Sequence, residues 1–85
     1  MRLLLVEDDL DLVLTLKKDL EKAGYAVDLA HDGVEAQYLG SEAIYDVIVL
    51  DLGLPKRSGL DVLRYWRGAG LLTPVIVLTA RDTWH

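Results

Sequence analysis

The chain has 85 residues, 52% hydrophobic and 27% charged, which is the make-up of one small globular domain and excludes a disordered tail. Fourteen acidic against nine basic residues give a net charge of −5, with no Lys/Arg run longer than two, so the basic face of a nucleic-acid binder is missing. The absence of cysteine removes disulfides, thiol catalysis and Cys-ligated zinc and suits a cytoplasmic protein, and no apolar run is long enough for a signal peptide or a membrane span.

The first apolar run, 2–6, reads as a strand. A helix follows, because Leu12, Val13, Leu16, Leu20 and Ala23 recur at steps of three and four. Asp9 and Asp11 stand at its start, Lys17, Lys18 and Lys22 toward its end, and Gly24 stops it, an order the helix dipole favours. Residues 25–30 alternate, with Tyr25, Val27 and Leu29 on one side and Asp28 on the other, as in an edge strand. A weaker helix spans 33–43 on Ala36, Leu39 and Ala43, with Gly40 working against it. Val47-Ile48-Val49-Leu50 is apolar without interruption, the pattern of a strand buried on both faces of a parallel sheet. Ser58, with Asp61 three residues on, caps a third helix that buries Val62, Leu63 and Trp66 and ends at Gly68 and Gly70. Val75-Ile76-Val77-Leu78 repeats the uninterrupted pattern. The order βαβαβαβ, with long crossovers, predicts an α/β fold: an open parallel sheet flanked by helices on both faces.

Ligands of such a sheet sit beyond the carboxyl ends of its strands. Glu7, Asp8 and Asp9 follow the first strand there, Asp51 the third, and Thr79 and Ala80 the fourth. Asp9 and Asp11 are accounted for by the start of a helix. If the first and third strands are neighbours, Glu7, Asp8 and Asp51 share one pocket. Like charges about 4 Å apart repel by roughly 4 kcal/mol at an effective dielectric of 20, so the trio invites a proton or a hard, oxygen-seeking cation such as Mg²⁺ or Mn²⁺. Asp51 ends an apolar strand and precedes Leu52-Gly53-Leu54-Pro55, a position for a metal ligand or for a nucleophile that forms an acyl phosphate. Thr79 offers a hydroxyl on the same rim, although alone it reads equally well as a strand-end residue bonded to backbone. His31 and His85 have no partner at metal-ligand spacing and read as surface, while Tyr65 and Trp66 read as helix packing.

Leu4-Leu5-Val6-Glu7-Asp8-Asp9, Val49-Leu50-Asp51-Leu52-Gly53-Leu54-Pro55 with Gly59 beyond, and Val77-Leu78-Thr79-Ala80 together resemble a two-component response-regulator receiver domain. Tyr45-Asp46-Val47-Ile48 and Gly59-Leu60-Asp61-Val62-Leu63 strengthen the likeness, and the wording around Asp51 and Thr79 is most similar to the OmpR/PhoB-type transcriptional regulators of the PhoP/PmrA/QseB-like branch. The resemblance implies a CheY-like, flavodoxin-like fold with strand order 2-1-3-4. It implies that Asp51 accepts a phosphoryl group from a sensor histidine kinase, that Asp8, Glu7, Asp51 and the Gly53 backbone carbonyl hold Mg²⁺, with Mn²⁺ as a substitute, and that Thr79 is the switch hydroxyl beside a small Ala80. The protein would be a phosphoacceptor that at most catalyses its own phosphorylation, rather than an enzyme.

A receiver has five βα units, and residues 1–85 supply strands for four, so the expectation is a partial receiver with the fifth unit missing. The lysine after the fifth strand has no counterpart, and Lys56, in the loop after Pro55, does not stand in its place. The further expectations are slowed phosphorylation, no direct contact with nucleic acid or membrane, and a homodimer or swapped oligomer that covers the fourth strand. The competing reading is a non-phosphorylatable fragment that only binds metal or dimerises. A haloacid-dehalogenase-like phosphatase needs an acid where Gly53 stands, a flavin-binding loop would not carry Glu7-Asp8-Asp9, and no Gly-x-Gly-x-x-Gly follows the first strand.

Overall fold

The computed structural model describes residues 1–78. Its elements follow the order β1 (Arg2–Val6), α1 (Leu10–Lys22), β2 (Ala26–Ala30), α2 (Gly33–Glu42), β3 (Val47–Asp51), α3 (Gly59–Gly68) and β4 (Val75–Leu78). The strands are parallel, in the spatial order β2-β1-β3-β4. All seven expected elements are present, and β2 is the edge strand its alternation predicts.

The two central strands explain their uninterrupted apolar sequence by facing two cores. Leu4, Val6, Ile48 and Leu50 pack beneath α2 and α3 with Ala36, Val62 and Trp66. Leu3, Leu5 and Val49 pack beneath α1 with Val13. Each fully buried aliphatic side chain contributes roughly 1.5–3 kcal/mol, so these short strands carry much of the stability. β4 has the same pattern but a different setting. It pairs with β3 alone among the described residues, leaving Ile76 55% and Val77 46% exposed, so the expected burial on both faces is not reached there.

The helix starts are chemical. The Asp9 carboxylate accepts the Asp11 and Leu12 N–H groups and caps α1, and Ser58 Oγ accepts the Asp61 N–H and caps α3. At α2, Asp32 Oδ1 accepts the Glu35 N–H while Glu35 Oε1 accepts the His31 N–H. Gly40, which counts against α2 by propensity, is needed by the packing. A Cβ there would lie 2.4 Å from the buried Trp66 indole, whose Nε1–H donates to the Gln37 carbonyl at 3.4 Å. Trp66 is packing as expected, whereas Tyr65 points outward and is exposed.

Toward the amino ends of the strands lies a polar cluster. The Arg2 guanidinium donates to Asp28 Oδ2 at 2.7 Å, and the Tyr45 hydroxyl donates to the same oxygen at 2.8 Å. Arg2 also lies over the Tyr45 ring, 5.1 Å from its centroid, and its backbone N–H donates to Asp46 Oδ2 at 2.7 Å. Burial and the neighbouring Asp28 carboxylate push the Tyr45 hydroxyl up to about 12. The Tyr45 and Arg2 hydrogen bonds hold Asp28 below the usual Asp range.

Candidate functional site

Parallel pairing of β1 with β3 sets Val6 opposite Leu50, so the next residue on each strand, Glu7 and Asp51, emerges on the same rim. Both are buried, at 3% and 7% exposure, which is unusual for carboxylates without a counter-charge. One carboxylate oxygen each from Glu7, Asp8 and Asp51 lies within 4.8 Å of the others. Asp8 is the exposed member and opens the cluster to solvent.

Local backbone holds two of these acids in place. The Glu7 N–H donates to the Ala30 carbonyl at 3.0 Å, joining the rim of β1 to the end of β2. Glu7 Oε1 accepts the Asp8 and Asp9 N–H groups at 3.1 and 3.2 Å. Asp51 Oδ1 accepts the Gly53 N–H at 3.3 Å, and the Gly59 N–H donates to the Leu52 carbonyl at 3.0 Å, so the loop after β3 closes onto the start of α3.

The electrostatics remain unbalanced. Burial raises the Glu7 carboxyl above the usual Glu range, and the Asp51 and Asp8 charges add to this against the hydrogen bond from the Asp9 backbone. Glu7 Oε2 is buried with no hydrogen-bond partner among the described residues. No ion pair among the described residues reaches the three acids; the four present join Arg2 to Asp28, Lys17 to Glu21, Lys56 to Asp32 and Arg64 to Asp61. An all-oxygen set with an orphaned buried carboxylate oxygen and, among the described residues, no cationic side chain fits a hard divalent cation.

The acids singled out from sequence divide as expected: Glu7, Asp8 and Asp51 converge, and Asp9 caps a helix. Gly53 sits in the adjoining loop with its N–H on Asp51. Thr79 and Ala80 lie outside the described residues. The sequence reading placed Lys56 in the loop after Pro55 but missed its contact with Asp32, whose carboxylate it meets at 3.5 Å. Nothing in the spacing of an Asp-Gly turn and a lysine 24 positions apart in the chain signals such a contact.

Comparison with known proteins gives a consistent result. The family model described as the response regulator receiver domain matches residues 3–84. The chain is 45% identical over its 85 residues to the transcriptional regulatory protein PhoP of Escherichia coli K12, and equally to the virulence transcriptional regulatory protein PhoP of Salmonella typhimurium, spanning 38% of the length of each. Among solved structures, the receiver domain of the Francisella response regulator 1452 superimposes with a TM-score of 0.91 at 35% identity, over 98% of this chain and 69% of that one. The response regulator TrrA of Thermotoga maritima, in complex with Mg²⁺-BeF, gives 0.90 at 33% identity over 99% of this chain and 73% of that one. A Burkholderia pseudomallei response regulator with a phosphorylated aspartic acid and a calcium ion gives 0.85 at 30% identity, over 98% and 49%. Sequence, fold and rim agree, and the chain belongs to the response regulator receiver domain family.

Proposed function

We propose that Asp51 accepts a phosphoryl group from the phosphohistidine of a sensor histidine kinase, on behalf of a cytoplasmic response regulator that controls transcription. The observation that carries this reading is the buried Asp51 beside a buried Glu7 whose Oε2 has no partner among the described residues, with Asp8 at the open side. Two structural relatives support it, one bound to Mg²⁺-BeF and one phosphorylated on aspartate. PhoP, a transcriptional regulatory protein, supports the output, which a segment other than this acidic chain would deliver to DNA.

Asp8, Glu7, Asp51 and the Gly53 backbone carbonyl would hold Mg²⁺, and the same oxygen set suits Mn²⁺. When bound, the ion supplies charge neutralisation at the transferring group. The Gly53 N–H on Oδ1 orients the Asp51 carboxylate. An Asp51 oxygen forms the new bond to phosphorus as the bond from phosphorus to the donor imidazole breaks, leaving an acyl phosphate. Thr79, with Ala80 leaving space beside it, would meet a phosphoryl oxygen through its hydroxyl.

The test is incubation with acetyl phosphate and Mg²⁺, followed by intact mass. One added phosphoryl group on the wild type and none on Asp51→Asn is expected. A wild type that stays unmodified with acetyl phosphate and silent with beryllofluoride would replace this reading with that of a module that only binds metal or dimerises.

A further inference from the structure

The loop between β3 and α3 contains a strained residue next to the rim. Lys56 has φ 68°, the one positive-φ non-glycine among the described residues. The Arg57 N–H donates to the Pro55 carbonyl at 2.8 Å, closing a three-residue γ-turn with Lys56 at its centre. A lysine in that conformation is unfavourable and persists only where its surroundings hold it.

Those surroundings are the first turn of α2. The Pro55 carbonyl also accepts the Gly33 N–H at 3.2 Å, one of the donors a helix start leaves without an internal partner. Lys56 Nζ lies 3.5 Å from Oδ2 of Asp32, the residue whose Oδ1 caps α2. Gly33 is buried, and a Cβ on it would stand 1.9 Å from the Arg57 carbonyl oxygen, so helix end and loop meet backbone to backbone. The other parts of the loop are already tied, by the Gly53 N–H to Asp51 Oδ1 and by the Gly59 N–H to the Leu52 carbonyl. The Pro55–Lys56–Arg57 turn lies between these two ties and is the part of the loop that α2 holds.

We infer that Asp32 and Gly33 are positioning residues for the cation site: they hold the strained Pro55–Lys56–Arg57 turn and through it set the Asp51 carboxylate and the Gly53 backbone. The inference rests on the metal reading above, and the two are separable. Mg²⁺ is titrated into the protein while the Gly53 and Asp8 amide resonances are followed by NMR, with thermal unfolding recorded without metal. Gly33→Ala should raise the Mg²⁺ Kd about tenfold, as outer-shell changes do. Lys56→Glu should raise it about threefold, reflecting one partly exposed pair, and Lys56→Arg should keep the wild-type value. The sign is diagnostic, because replacing a nearby lysine with an acid by itself favours cation binding. An unchanged or lowered Kd in Lys56→Glu overturns the inference, even if Gly33→Ala fails to fold. A wild type with no response to Mg²⁺ overturns the metal reading instead.

Discussion

The Arg2–Asp28–Tyr45 cluster and the Glu7–Asp8–Asp51 cluster are built on neighbouring strands of one small sheet, yet they treat carboxylates in opposite ways. Asp28 receives a guanidinium at 2.7 Å and a hydroxyl at 2.8 Å and is held below the usual Asp range. Glu7 is pushed above the usual Glu range by burial and like charges, and one of its oxygens has no partner among the described residues. The first arrangement stabilises the folded chain by itself. The second destabilises it until something positive arrives, and an acid kept in that state is better explained by binding than by folding.

Asp51→Asn should have the largest effect. It should abolish phosphoryl incorporation from acetyl phosphate and, by removing one of three crowded charges, stabilise the metal-free chain by about 1 kcal/mol. Intact mass and thermal unfolding check the two halves, and incorporation that survives the substitution would break the contrast at its functional end. Tyr45→Phe should cost about 1 kcal/mol through the lost hydrogen bond and leave the response to Mg²⁺ at its wild-type value. A changed Mg²⁺ response there would mean that the two clusters are coupled.

Stability against pH sharpens the contrast because the slopes differ in sign. The Glu7 contribution is fully present below pH 4.5 and is lost as pH rises through its raised value. The Asp28 contribution is present above pH 3.8 and is lost as pH falls through its lowered value. Denaturant unfolding without metal should therefore lose the decline that sets in above pH 4.5 in Glu7→Gln and part of its acid-side decline in Asp28→Asn. The smallest effect belongs to Arg2→Gln. Its pair with Asp28 is about half exposed, so a salt-sensitive loss below about 1 kcal/mol is expected in the same measurement.

Much of this was legible in the chain. Strand positions follow from the apolar runs and parallel pairing from the long crossovers, whereas the strand order was implied only by the family resemblance. Glu7 and Asp51 could be joined in advance because each directly follows such a run. What escaped the reading depends on backbone geometry and on distance in the chain. The unfavourable φ of Lys56 and the approach of Gly33 to the Arg57 carbonyl leave no periodic trace. Gly40 reads as a weakness in α2 until the indole of Trp66 is seen to occupy the place of its side chain. Tyr65 shares its helix with Trp66 but faces outward, and adjacency alone does not tell the two apart.

The contact between Gly40 and Trp66 also bears on how this fold can change by descent. A methyl group at position 40 would stand 2.4 Å from the ring, so enlarging that position costs stability while tryptophan remains at 66. Positions 40 and 66 should therefore covary across an alignment of relatives, a larger residue at one accompanied by a smaller residue at the other. A Trp66→Leu background should accept Gly40→Ala at less cost than the wild type does, which would make the pair a record of the order in which substitutions can occur.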